Sequence, residues 1–274
     1  LHAIALTLDG AMLRYTPLGG FNDPFEGRPE ITDLNTREEK IEIISTVFPE
    51  EAKKIYDQIP EQDKKNLSFQ DFVFLTEKLM EANGIDILKE TEKAVPAMKD
   101  MFHKKFDEHV GTLCLSEVPD SILMWSHYGS SHTGFVIGFN AHHPHFHERR
   151  SPDDELRHLR RVLYRDARPS ARLSEMDWTD LVLTKSSHWS YEREWRIMRD
   201  LADAKSVIPC KPFPVHLFKF PRDAITSIIL GARATDETEK SIISILQSNE
   251  QYRSTILKRA IPNDSHFLLN IMPT

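Results

Sequence analysis

Between Ile122 and Phe139, Trp125, His127, Tyr128 and His132 stand between an apolar run and a strand-like run. Such side chains stack on a planar ring, donate to a phosphate or carbonyl oxygen and, for histidine, move a proton near neutrality. Trp125, Tyr128 and His132 are three and four residues apart, a spacing that shares one helical face. Gly129 can interrupt that face, leaving Trp125 and Tyr128 on it and His127 opposite. The plainer alternative is an aromatic core helix closed by a capped turn.

Ser186 to Arg196 holds a second candidate. In an extended segment Glu192, Glu194 and Arg196 point one way, and Tyr191, Arg193 and Trp195 the other. Two carboxylates beside an arginine can polarise a sugar hydroxyl or stabilise cationic character at a sugar carbon. The same groups also pair on solvated strands. Glu192 or Glu194 is the expected catalytic carboxylate, with Tyr128 and His127 as its catalytic partners. A third set joins Arg14-Tyr15 to Asn22-Asp23: Arg14 could clamp a pyrophosphate through two parallel hydrogen bonds, and Tyr15 could cover a base. The Asn22-Asp23 turn before Pro24 could offer backbone donors or simply hold its loop. The expected ligand-binding residues are therefore Arg14, Tyr15, Asn22, Asp23, Trp125, His132 and Arg196.

Positioning these residues takes mixed elements. Leu6 to Tyr15, around Asp9-Gly10, reads as a short strand or turn leading into a second short strand. Thr36 to Gln58 predicts a helix with Ile41, Ile44, Phe48, Ala52 and Ile55 as its stripe, and Glu38-Glu39 favourably placed in its first turn. Ser68 to Asn83 and Gly84 to His109 predict two more, the second broken near Pro96. Val110–Ser116, Gly134–Phe139, Trp195–Met198, Val215–Phe218, Ile225–Leu230, Ser254–Arg259 and Phe267–Ile271 read as strands. Pro119–Tyr128, Asp153–Leu163, Ser174–Ser187 and Thr235–Gln247 read as helices. Short strands scattered among helices predict an α+β class: a small split or mixed sheet over 1–35 and 110–274, carrying a mainly helical lobe at 36–109.

Composition narrows the function classes. The 274 residues suffice for one large core or two modest ones, and 40% apolar with 28% charged residues is the balance of a soluble globular chain. Two cysteines, Cys114 and Cys210, rule out a disulfide framework and fit a reducing cytoplasm. No apolar run is long enough to span a bilayer, so no membrane partner is expected. The chain opens on Leu1 rather than Met, and Leu1 to Leu8 is too short for a secretory signal. This leaves open a start inside a longer protein. A formal charge of −7 weakens general nucleic-acid binding, although basic residues gather from Arg149 to Arg172. Arg157, Arg160, Arg161 and Arg165 are the residues through which nucleic acid could bind.

Common catalytic signatures are missing. There is no Gly-x-Gly-x-x-Gly fingerprint, no phosphate loop ending in Lys-Ser or Lys-Thr, and no Gly-x-Ser-x-Gly elbow. The run His142-His-Pro-His-Phe-His147 could capture a metal, but it lacks a recognised ligand register, so no metal site is assigned.

Phe21-Asn-Asp-Pro-Phe-Glu26, Cys114-Leu-Ser-Glu117, Met124-Trp-Ser-His-Tyr128, His132-Thr-Gly-Phe135, Lys185 with Trp189-Ser-Tyr-Glu-Arg-Glu-Trp-Arg196, and Ile228-Ile-Leu-Gly-Ala-Arg233 together resemble the DUF2971 family of mostly prokaryotic, uncharacterised proteins. Family members open on a Lys/Arg-Tyr strand before the Asn-Asp-Pro loop. Arg14-Tyr15 matches that pair only if it is not part of the next strand. A looser resemblance links the order Arg14, Tyr128, then Glu192 or Glu194 to ADP-ribosyltransferase-like folds. That resemblance implies NAD as a substrate held in a cleft, Trp125 or Tyr128 packing the nicotinamide, and the glutamate orienting a ribose hydroxyl or activating an acceptor. No resident cofactor is assigned.

The leading expectation is an NAD-consuming transferase or NAD glycohydrolase. A nucleotide or nucleic-acid sensor in bacterial defence is the first alternative, and a metal-assisted hydrolase or nuclease the second. An interaction scaffold working through the helical lobe remains a further reading. The sequence leaves the oligomeric state open.

Overall fold

The computed structural model describes residues 4–84 and 86–274, with Trp178 described by its backbone alone. Leu1 and its two successors lie outside the described residues, as does Ile85, which was expected near the start of the third helix. The chain has α+β architecture, divided into two compact units.

The first unit comprises the residues up to Arg28, Lys105–Arg168 and Trp178–Thr274. Its largest sheet runs in the order Leu269–Pro273, Ile256–Pro262, Ile225–Leu230 and Phe135–Phe139. Ile225–Leu230 pairs parallel with Ile256–Pro262 and antiparallel with Phe135–Phe139. This central strand is apolar on both faces because both are covered. Ile228 and Leu230 pack with Ile4, Leu8, Ile242 and Tyr252, while Ile229 packs with Trp125, Ala260 and Leu269.

A second sheet matters most for the site. Glu194–Asp200 lies between Val110–Ser116 and Arg160–Arg161, antiparallel to both. Leu113 and Ile197 on one face join a core with Tyr15, Leu201 and Phe218. The opposite alternation places Cys114 in register with Arg196, and Ser116 with Glu194. Met12–Tyr15 pairs with Val215–Lys219, and Leu163–Arg165 pairs parallel with Thr184–Ser186.

The second unit comprises Pro29–Lys104 and Pro169–Asp177. Glu30–Ile31 pairs with Ser170–Ala171 beside the helices Arg37–Asp57, Glu61–Lys64 and Phe69–Ala82. Thr36 with Glu39, and Ser68 with Asp71, form reciprocal capping boxes that satisfy amides at the helix starts. Of the expected stripe on Arg37–Asp57, Ala52 is buried and Ile44 and Phe48 are half-buried, while Ile41 and Ile55 are exposed. The helix Ile87–His109, which begins in this unit, continues through Pro96 rather than breaking there.

The structure decides one open alternative and corrects two sequence expectations. Of the strand or turn expected there, Ala5–Asp9 is a π-helical turn: the Gly10 amide reaches the Ala5 carbonyl, and Ile4 and Leu8 enter the core at helical spacing. Asp153–Leu163 is not a helix. The Asp154 carboxylate accepts from the amides of Arg150, Leu156 and Arg157, bending the backbone, and Arg160–Arg161 then joins a sheet. Ser174–Ser187 is α-helical only over Trp178–Leu183, which stops where Thr184–Ser186 is drawn into pairing with Leu163–Arg165.

Candidate functional site

Arg196 is completely buried on the strand Glu194–Asp200, and its guanidinium needs partners on every side. Its Nε donates to Glu194 Oε1 at 2.7 Å, and its Nη1 to the Val182 carbonyl at 2.7 Å. Its Nη2 donates to both Glu26 oxygens, at 2.9 and 2.8 Å. Phe21 lies against the guanidinium, with its ring centre 5.4 Å away. The strand's two-residue period puts Glu194 beside Arg196, the loop Phe21–Glu26 supplies Phe21 and Glu26, and the helix Trp178–Leu183 supplies the Val182 carbonyl.

That loop is shaped by its own residues. Asp23 is buried and its Oδ1 accepts from the Phe25 amide, while its carbonyl accepts from the Glu26 amide. Gly27 follows with φ of +59°, packed so closely on Leu18 that a Cβ would collide with it. Asp23 is thus a turn former in this structure, and the turn delivers Glu26 to Arg196.

Lys185 completes the cluster. Its ammonium reaches Glu26 at 3.1 Å, Glu192 Oε2 at 2.6 Å and Glu194 Oε2 at 2.8 Å, matching three donors to three carboxylates. The Trp189 ring centre lies 5.1 Å from the same nitrogen. Burial disfavours the lysine's charge, but Glu194 and Glu26 overcome it and raise its pKa. Burial likewise opposes ionisation of Glu194, yet Arg196 and Lys185 hold its carboxyl down at about 2. For Glu26, burial outweighs the same two cations and its pKa rises.

Glu192 is different. It ends the 3-10 turn Ser187–Glu192 and precedes Arg193, whose left-handed backbone (φ 44°, ψ 54°) turns the chain into the strand. The turn lets Glu192 and Glu194 approach the same lysine, although Glu192 is outside the strand. Ser116 Oγ donates to the Glu192 carbonyl at 2.6 Å, and Trp195 Nε1 to Glu117 at 2.7 Å, so the Cys114–Glu117 segment anchors the turn. Glu192 Oε1 accepts from Tyr128 Oη at 2.9 Å, and Tyr128 Oη accepts from Asn22 Nδ2 at 3.4 Å. Glu192 is 3% exposed and Tyr128 52%. Burial, reinforced by Glu192, raises the Tyr128 pKa, so the phenol keeps its proton and acts as a donor.

The structure therefore brings together Glu192, Glu194, Arg196, Tyr128 and Asn22. His127 joins at the edge: exposed, it lies edge-on to Tyr128 at 6.2 Å and to Trp189 at 6.4 Å, and Trp189 lies 6.1 Å from Tyr191. These rings give the Tyr128–Glu192 pair an aromatic border. Other expected ligand residues lie elsewhere. Trp125 is a core residue, stacked on His132 with its Nε1 donating to the Pro119 carbonyl. His132 also lies 3.3 Å from Ser126 Oγ. The Tyr15 ring is buried against Phe218, and its hydroxyl accepts from Arg199. Arg14 is exposed on Met12–Tyr15 and is not among the cluster's partners.

Glu26 and Lys185 were absent from the expected site. Each lay in a short segment that carried the family resemblance, but single glutamates and lysines give no periodic signal. Their role depends on segments that converge only in three dimensions.

The expected basic track is largely compensated. Arg157 pairs with Asp154 and Asp203, Arg160 with Glu155, and Arg165 with Asp180; Arg161 is exposed. The histidine run is dispersed among separate partners: His143 with Asp223, His145 with Glu148, and His147 with the Ala141 carbonyl. No helix among the described residues is long and apolar enough to cross a membrane.

The family model described as "Protein of unknown function (DUF2971)" matches residues 124–197. The resemblance read from the motifs thus holds over a segment containing Tyr128, Lys185, Glu192, Glu194 and Arg196. No curated protein and no solved structure matches the chain.

Proposed function

We propose that this protein is an NAD-consuming enzyme in which Glu192 orients a ribose hydroxyl, and that Glu194 holds the site together. The observation that carries this reading is the hydrogen bond from exposed Tyr128 to Glu192 Oε1. Within the cluster, the carboxylates of Glu26 and Glu194 are engaged by Lys185 and Arg196. Glu192 Oε1 instead has a neutral phenol as its partner, which a ligand hydroxyl can replace without stranding a buried charge. Three carboxylates facing two cations also leave the cluster with a negative balance, favourable to positive charge developing on a sugar. The rings at its border, His127 exposed and Trp189 and Tyr191 half-buried, can receive a planar base.

In the proposed reaction the bond from ribose C1′ to the nicotinamide nitrogen breaks, and its electron pair leaves with nicotinamide. An acceptor oxygen, from water or a hydroxyl, bonds to C1′, and the proton it loses passes through Glu192 to solvent. Lys185 keeps the other Glu192 oxygen fixed during these steps.

Nicotinamide release from NAD should be measured on wild type, E192Q and Y128F. Release is expected to fall by about a hundredfold or more in E192Q, within the span attributed to a positioned acid–base group. Unchanged release in a folded E192Q protein would remove Glu192 from the chemistry. Calorimetry on the same proteins separates the sensing alternative, which predicts NAD binding without release. The metal-assisted alternative has less support, since the Lys185 ammonium occupies the space among the three carboxylates.

A further inference from the structure

Two residues beyond Tyr128 the backbone does something unusual. Ser130, Ser131 and His132 have φ of 51°, 53° and 70°, three consecutive non-glycine residues in the left-handed region. L side chains adopt that region rarely and seldom in succession, because Cβ crowds the backbone carbonyl. Strain of this kind persists only where the surroundings impose it, and it concentrates at ligand clamps and active sites.

The surroundings here are well defined. The His132 amide donates to the Trp125 carbonyl, the Thr133 amide and hydroxyl to the Ser130 carbonyl, and the Gly134 amide to the Gly129 carbonyl. The strand end Leu230-Gly231 closes the other side: the Arg233 amide donates to the His132 carbonyl at 2.9 Å, and the Gly231 amide to the Gly134 carbonyl at 2.9 Å. Gly231 is required there, since a Cβ would overlap the His132 carbonyl. The turn is thus pinned at both ends to a buried tryptophan and a central strand.

The rest of the turn is left open. The Ser130 and Ser131 amides have no acceptor among the described residues, and both serines are exposed with hydroxyls engaged by no described partner. Arg233 is exposed, and no described carboxylate pairs with it, in contrast to Arg157, Arg160 and Arg165. Two successive free amides and two free hydroxyls in a tight turn are donors of the kind that phosphate oxygens accept from, and Arg233, whose amide is bound to that turn, carries an unpaired guanidinium.

The geometry points to an anion subsite at Ser130–His132 and Arg233 that takes the pyrophosphate of a small nucleotide. It deepens the proposed function, on which the assignment to a nucleotide rests; the anion site itself stands on the turn and Arg233. A nucleic-acid backbone is the less favoured ligand, because Arg157, Arg160 and Arg165, which a basic track would need, are already paired with carboxylates.

Inorganic pyrophosphate should be titrated by calorimetry into wild type, R233Q and S131P, with a single-stranded oligonucleotide as the second probe. S131P removes a free amide and cannot adopt positive φ; circular dichroism and a melting curve establish that each variant is folded. Pyrophosphate affinity is expected to fall about tenfold or more in R233Q and in folded S131P, and wild-type binding to weaken as salt rises. Absence of pyrophosphate binding in wild type, equal affinity in R233Q, or Arg233-dependent binding of the oligonucleotide alone would each overturn the assignment. The outcome is separable from the catalytic reading: Arg233-dependent pyrophosphate binding can stand when E192Q proves Glu192 inert, and its failure leaves nicotinamide release intact as a test of Glu192.

Discussion

Glu192 and Glu194 flank one left-handed residue, touch the same lysine and are equally buried, yet their surroundings assign them different work. Glu194 lies on a regular strand with Arg196 on its own face, so its charge is held by two cations. Glu192 ends a tight turn, and its second oxygen looks toward an exposed tyrosine. A carboxylate locked between buried cations is costly to disturb and poor at exchanging partners. One that shares its charge with a replaceable neutral donor can accept a ligand. The comparison teaches that proximity to the same lysine does not make two glutamates equivalent; the partner of the last free oxygen does.

The largest effect should come from destroying the inner half. Arg196→Met leaves Glu26 and Glu194 without their shared guanidinium, and a denaturant titration should show a loss of roughly 3–5 kcal/mol. A loss below about 1 kcal/mol would show that the cluster is not the structural centre of this region.

The two glutamates should then separate in stability. E194Q is expected to cost about 2–3 kcal/mol, as charge-assisted bonds to Arg196 and Lys185 are weakened. E192Q should cost less, about 1 kcal/mol, because an amide can still accept from Tyr128. Equal losses in urea titrations would erase the distinction drawn between them.

Acid should act on the same contrast. The Glu194 pKa is depressed from 4.5 to about 2, so its stabilisation is complete above pH 4.5 and is lost as pH falls toward 2. Glu26 is shifted upward by burial, so its protonation relieves a cost and offsets part of that loss. Melting temperature followed from pH 6 down to 2 should fall more steeply in wild type than in E194Q; parallel curves would mean that Glu194 is not the group being titrated.

The smallest effect is expected at the surface. Arg165→Gln breaks an exposed pair with Asp180 and should change stability by less than about 1 kcal/mol. A larger loss would mean that the surface pairs, and not only the buried cluster, organise this unit.

Much of the element layout was legible. Val110–Ser116 and Ile225–Leu230 were bounded as they stand, because apolar, β-branched runs between turn formers have few other uses. The helices expected from Thr36 and from Ser68 stand as Arg37–Asp57 and Phe69–Ala82, because their apolar residues recur at helical steps. Asp153–Leu163 misled because its charged and apolar residues fit a helix locally, whereas Asp154 and a distant strand offered its backbone better partners.

By itself the sequence determined which side chains could do chemistry near Tyr128 and in the segment ending at Arg196. It also determined that Glu194 and Arg196 share a face, since a strand's period is local. Only the tertiary structure decided that Trp125 and Tyr15 belong to the core, that Glu26 crosses from the N-terminal loop to Arg196, and that Lys185 binds three carboxylates. Burial and long-range ion pairing depend on segments far apart in the chain, and no local spacing encodes which of them will meet.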